Sequence, residues 1–356
     1  MENQKIALYI FLVALVTGSE LVQGSSHHHR HRHHRNQHLN HHESNGNQLG
    51  LTKLFVFGDS YADTGNNKKG AGSWTAPYGI TFPGKPAGRY SDGRVFTDYL
   101  ASYLRIKSPI PYRFRKIASE PQRYGMNFAY GGTGVFPTYS PEPNMTVQID
   151  YLQSVIKSGV YTKHDLSSSV AHVSLAGNDY ATYLAQNGTI EGFPDFIGKV
   201  TDQLILDLKR IHSLGVRKIT VTALPPLGCV PRSTVETSFQ NCSDLRNQLS
   251  DLHNLLLQSG VDALNNSTKE STFVILDLNN AFKSAFKSAI FTTPLKPCCV
   301  GISNEYSCGS VVNGVKKYTI CEDPKSAFFW DGLHPTQQGW FAVYAALRRT
   351  LNQLVY

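Results

Sequence analysis

The chain has 356 residues, 41% hydrophobic and 17% charged, which is enough apolar material for one large folded domain or two small ones. Its formal net charge of +8 is spread along the chain. With no compact Lys/Arg block in the globular part, nucleic acid is excluded as a partner, and an anionic wall or membrane surface stays open.

The first 24 residues read as a secretory signal peptide. Residues 1–5 form a short polar leader, 6–16 are apolar but too short to span a bilayer, and small and polar residues follow. An uncleaved anchor is the alternative. Residues 25–49 hold nine of the 14 histidines, interleaved with Arg and Asn. Such a segment buries too little apolar surface to offset its ordering entropy, so a disordered, solvated linker is expected. Metal capture and a pH-dependent cationic tether to an anionic surface compete with that reading.

The folded domain is expected over 50–356. It opens on Leu54-Phe55-Val56-Phe57, which runs straight into Gly58-Asp59-Ser60. A short apolar run bounded by glycine reads as a strand buried on both faces, with Ser60 just past its carboxyl end. That edge binds ligands in open α/β sheets; an ordinary Gly-Asp-Ser turn is the plain alternative. Helical spacing follows over 92–104, stopped by Pro109 and Pro111. Strands are predicted over 124–129, 170–176, 216–224 and 273–278. Helices are predicted over 146–156, 197–214 and 245–264, with a last one over 337–354 opening after Pro335 near its first turn. This alternation predicts a single α/β domain, a parallel five-stranded sheet between two helical layers.

A Cys-rich loop covers 292–323. The six cysteines are Cys229, Cys242, Cys298, Cys299, Cys308 and Cys321. In an oxidising compartment they form up to three disulfides among fifteen pairings, with adjacent Cys298 and Cys299 taking different partners. No C-x-x-C pair supports zinc. Asn-x-Ser/Thr sites begin at Asn144, Asn187, Asn241, Asn265 and Asn266.

Near the C-terminus stands Trp330-Asp331-Gly332-Leu333-His334-Pro335. Asp331 and His334, three apart across a glycine, allow one turn to aim the carboxylate at Nδ1 while Nε2 faces outward. A hydroxyl nucleophile needs that pairing, because a base must take its proton and a carboxylate must fix the base's tautomer. By itself Asp-x-x-His more often marks a helix cap beside a surface histidine. His164, His172, His212 and His253 lack any such flanking pattern and read as structural. Gly131 and Gly132 follow the second strand and Asn178 the third. Both strand ends offer N–H donors to an oxyanion, although each is also an ordinary turn residue.

Five motifs in order then resemble the plant GDSL-type esterase/lipases of the SGNH hydrolase superfamily. They are Phe57-Gly58-Asp59-Ser60 with Asp63-Thr64-Gly65-Asn66, Asn127-Phe128-Ala129-Tyr130-Gly131-Gly132, Gly177-Asn178-Asp179-Tyr180, Leu224-Pro225-Pro226-Leu227-Gly228-Cys229, and Asp331-Gly332-Leu333-His334-Pro335-Thr336. The resemblance covers nearly all of 51–356 and leaves the His-rich tract outside. It implies a flavodoxin-like sheet and carboxylic-ester hydrolysis without cofactor or metal, on a small ester or lipid. Ser60 would be the nucleophile, His334 the base and Asp331 its orienter. The oxyanion donors would be the Ser60 N–H, a glycine N–H and Asn178. Family members usually carry Ser where this chain has Tyr130, and Gly131 is the expected glycine donor. No Gly-x-Ser-x-Gly elbow surrounds Ser60, which argues against the α/β-hydrolase fold. A secreted serine esterase is expected. An acyltransferase on the same acyl-enzyme and a non-catalytic wall- or metal-binding protein are the alternatives.

Overall fold

Strand β1, Lys53–Gly58, is buried along all but its first residue. Successive side chains of a strand face opposite ways, and here both ways lead into core. Phe55 and Phe57 enter one apolar cluster, Leu54 and Val56 the other. The computed structural model describes residues 50–117, 120–175, 177–268 and 272–354. The signal peptide and the His-rich tract expected over 1–49 lie outside the described residues.

Four more strands join β1 as anticipated. With β2 at Ile110–Pro111, β3 is Gly125–Asn127, β4 Ser169–Ser174, β5 Lys218–Thr222 and β6 Phe273–Leu276. All pair in parallel, in the order β2-β3-β1-β4-β5-β6. Without β2 this is the flavodoxin-like order, whose switch point lies here between β1 and β4. The sixth strand, β2, is two residues long and contains a proline. Proline cannot donate to a ladder and is confined to sheet edges, which is where β2 sits.

Helices α1 (Phe96–Tyr103), α2 (Met145–Lys157), α3 (Asn178–Ala185), α4 (Phe193–Ser213), α5 (Asp244–Thr268), α6 (Leu278–Phe286) and α7 (Gln337–Leu351) flank the sheet. Ile149, Leu204 and Leu257, from α2, α4 and α5, pack with Phe55 and Phe57. Leu100, Phe282 and Trp340, from α1, α6 and α7, pack with Leu54 and Val56 on the other face. The result is the three-layer αβα sandwich.

Three local expectations change. The helix expected over 92–104 starts at Phe96, because Asp92 and Arg94 are held by the start of α7: Gln337 N–H donates to Asp92 Oδ1 at 2.7 Å and Arg94 N–H to Gln337 Oε1 at 3.0 Å. Pro335 does not occupy the first turn of α7; Thr336 caps it, accepting from Gly339 N–H at 2.9 Å. The apolar stretch expected as strand to 278 gives way after Leu276 to α6, whose cap is Asp277, accepting from Asn280 N–H at 2.9 Å.

The six cysteines pair as Cys229–Cys242, Cys298–Cys321 and Cys299–Cys308. The last two brace a small lobe. In it β7 (Cys299–Gly301) pairs antiparallel with β10 (Tyr318–Ile320) beside the hairpin of β8 (Val311–Val312) and β9 (Val315–Lys316). Asn313 and Gly314 turn that hairpin with positive φ at both residues, as a tight two-residue turn demands. Among the acceptor sequons, Asn265 is occupied structurally. Its Nδ2 donates to Phe273 O at 2.8 Å and its Oδ1 accepts from Phe273 N–H at 2.9 Å.

Candidate active site

The end of β1 turns on Gly58. Its φ of 133° lies where glycine is favoured, and a Cβ there would come within 1.9 Å of Ser174 O. The Gly58 peptide is read at both ends by Gln148 of α2: Gly58 N–H donates to Oε1 at 2.8 Å and Nε2 donates to Gly58 O at 2.9 Å. Asp59 N–H continues the ladder to Ser174 O at 3.0 Å, and Asp59 Oδ1 accepts from Tyr61 N–H at 3.0 Å. Ser60 sits on the crest of this turn, almost wholly buried.

His334 reaches Ser60 from the far end of the chain. Its Nε2 lies 2.8 Å from Ser60 Oγ, and its Nδ1 lies 2.8 Å from both oxygens of Asp331. The Asp331 carboxylate shapes its own turn. Oδ1 accepts the backbone N–H groups of Leu333 and His334, each at 2.9 Å. Burial pushes this carboxyl up, but the charge of His334, its hydrogen bond and those two backbone donors outweigh burial and hold it down at about 2. The carboxylate is therefore ionised across the neutral range.

Three tyrosines surround the pair, of which only Tyr61 lies within a motif. Tyr61 donates to Leu333 O at 2.8 Å, tying the Ser60 turn to the His334 turn. Tyr78 donates to Asp331 Oδ2 at 2.7 Å. Tyr90 lays its ring on the imidazole, centroids 5.0 Å apart. Tyr61 adjoins Ser60 in sequence, but Tyr78 and Tyr90 stand far from both Ser60 and Asp331, and no spacing announced them. The one signal was their place in an aromatic, Pro- and Gly-rich loop over 74–93.

Gly131, the expected glycine donor, is already engaged. Gly131 N–H is spent: it donates to Asn67 Oδ1 at 2.9 Å and to Asp63 Oδ2 at 3.2 Å. Its glycine is needed for another reason, since a Cβ there would meet the Tyr90 ring at 2.4 Å. The next residue, Gly132, has φ of 85°, and its N–H has no acceptor among the described residues, as is true of Ser60 N–H. Asn178 opens α3 after β4, as expected. Its Nδ2 donates to Asp59 Oδ2 at 3.1 Å and to Thr133 O at 3.0 Å. The amide therefore bridges the Ser60 turn to the Gly132 turn across the switch point.

Buried Asp63 anchors the glycine turn by accepting from Gly65, Asn66 and Gly131 N–H groups at 2.7–3.2 Å. Burial raises its carboxyl to about 6 against the pull of those donors. His172 and His253 are structural: each is buried, with Nδ1 at Thr220 Oγ1 (2.9 Å) and at Tyr180 OH (2.6 Å), and burial pulls each down to about 3. Ser91, another serine in a glycine-rich loop, is also buried and donates to Pro335 O at 3.0 Å. Among the described residues no group of three His, Cys, Asp or Glu side chains is placed to hold a metal ion. No helix there is long and apolar enough to cross a membrane.

Residues 54–347 match a family model described as GDSL-like Lipase/Acylhydrolase. A GDSL esterase/lipase of Arabidopsis thaliana is 59% identical over 312 residues, covering 85% of this chain and 87% of the relative. A second from the same plant is 53% identical over 323 residues, covering 87% and 91%.

Proposed function

The chain belongs to the GDSL-like lipase/acylhydrolase family and is a carboxylic ester hydrolase, and on that footing we propose that it works through an acyl-enzyme on Ser60. The supporting observation is the unbroken line from Ser60 Oγ through His334 to Asp331, each step 2.8 Å. In this reading His334 Nε2 takes the Ser60 proton as Oγ attacks the ester carbonyl. The same imidazolium then protonates the departing alcohol. Water, deprotonated by His334 in turn, releases the carboxylic acid and restores the serine. Asp331 remains ionised and accepts the Nδ1 proton's hydrogen bond, fixing the tautomer. The oxyanion is received by the N–H groups of Ser60 and Gly132, whose turns the Asn178 amide ties together through Asp59 and Thr133.

The substrate is a small ester or lipid. The three disulfides favour an oxidising compartment and, with the apolar segment 6–16, support a secreted protein. The deciding experiment is active-site labelling with a fluorophosphonate, read by peptide mass. Wild-type protein should carry the label on Ser60. Ser60→Ala should lose labelling and drop to background turnover while keeping its thermal unfolding profile. A folded Ser60→Ala protein with full esterase activity would overturn the mechanism.

A further inference from the structure

We propose that Tyr78 is a positioning residue of the triad, acting through the outer oxygen of Asp331 to set the carboxylate's orientation and its charge. The inference rests on the triad reading above and goes beyond it, since neither the five motifs nor the chemistry of ester hydrolysis requires this tyrosine.

Asp331 has two oxygens with different duties. Oδ1 receives the backbone donors of its own turn. Oδ2 has no backbone donor among the described residues; besides His334, its partner is the Tyr78 hydroxyl at 2.7 Å. Both residues are buried, so water does not substitute for that bond. Burial, then the charge of Asp331, pushes the Tyr78 phenol well above its ordinary range, and it stays a neutral donor. A buried carboxylate with a donor on each oxygen cannot rotate without breaking one of them.

Tyr78 is itself held firmly. Gly79 N–H donates to Ser91 O at 3.0 Å and Thr81 N–H to Asp92 O at 2.8 Å, closing the loop on itself. Ser91 and Asp92 then grip Pro335 and Gln337. The Tyr78 ring packs with Cys298, Cys299, Tyr318 and Trp330 under the disulfide-braced lobe. Loop 78–92 thus clasps the catalytic turn before and after His334.

The other ionisable groups facing this pair are Tyr61 and Tyr90, with Asp59 behind the first and Asp63 behind the second. Arg232 N–H donates to Gly332 O at 2.8 Å. Tyr78 is the one among them that bonds the carboxylate. Removing its hydroxyl concentrates negative charge on Asp331, which favours the imidazolium of His334 and withdraws free base at low pH.

The test is the pH profile of kcat/KM on a soluble ester. Tyr78→Phe should move the acidic limb to higher pH by about half a unit and lower kcat about tenfold, with KM unchanged within about twofold. 3-Fluorotyrosine installed at position 78 alone keeps the shape and donates more strongly, so its limb should move to lower pH. It also serves should the phenylalanine variant not fold. Opposite shifts establish the role. A limb that stays at the wild-type pH in a folded variant overturns it, since a residue that only packs has no reason to move it. Failure of the triad reading is separate, and would show as Ser60→Ala protein that still hydrolyses ester.

Discussion

The two halves of the site are held in place by different means. Ser60 rides on the sheet: its turn continues the β1 ladder into Ser174, and Gly58 O accepts from Tyr130 N–H at 3.0 Å. Asp331 and His334 lie on a loop outside the sheet. They are placed by long-range side-chain bonds from Tyr61, Tyr78 and Ser91. The Ser60 turn is set by the β1 ladder, with Gln148 bonded to both the N–H and the C=O of Gly58. The base is set by hydroxyls that substitution can remove one at a time. Graded losses are therefore expected on the base side and near all-or-none behaviour on the nucleophile side.

After the loss of Ser60 itself, the largest effect should come from Asp331→Asn. The amide keeps the turn's size but mis-sets the imidazole tautomer, and turnover should fall on the order of 10⁴-fold. The same change should flatten acid sensitivity. The wild-type carboxyl is held at about 2, below the ordinary carboxylate value of 3.8. Its contribution to stability is therefore present above pH 4 and lost as pH falls toward 2. A thermal melt series between those values should show a steeper decline in wild-type than in Asp331→Asn; equal slopes would count against the carboxylate's low value.

A middle effect is expected on the sheet side. Asn178→Ala removes the bridge from Asp59 to Thr133, which sets the spacing of the Ser60 and Gly132 turns. Turnover should drop roughly 10² to 10³-fold with KM nearly unchanged. A change confined to KM would move Asn178 from the oxyanion to substrate binding.

The smallest effect sharpens the comparison most. Ser91→Ala leaves Pro335 O without its side-chain donor in a buried loop. It should cost about 1–3 kcal/mol in denaturant unfolding and less than tenfold in kcat. Wild-type stability in this variant would show that Ser91 is not part of the clasp.

Much of this was legible beforehand, and the pattern of what was not is physical. β1, β4, β5 and β6 were readable because strands buried on both faces must be short apolar runs. β2 was not, because two residues including a proline leave no periodicity. Ser60, Asp331, His334 and Asn178 could be picked out because each follows a recognisable strand end or turn. The choice between Gly131 and Gly132 was not readable: two adjacent glycines look alike until Asn67 and Asp63 arrive from another segment and claim one N–H. Tyr78 was hidden for the same reason, because a contact between residues 78 and 331 leaves no trace in local spacing.

The pairing of Gly58 with Gln148 has a consequence for anyone reshaping this enzyme. A glutamine grips one residue by both its N–H and its C=O, as a neighbouring strand would, while Ser174 O closes off the space beside it. Glutamate at 148 would lose the donor, and any side chain at 58 would collide. A library that varies positions lining the substrate pocket and ignores α2 will treat 58 and 148 as unrelated sites, ninety residues apart. In practice they form a single locked position. Clones altered at either one should vanish from selection before their acyl preference is ever sampled.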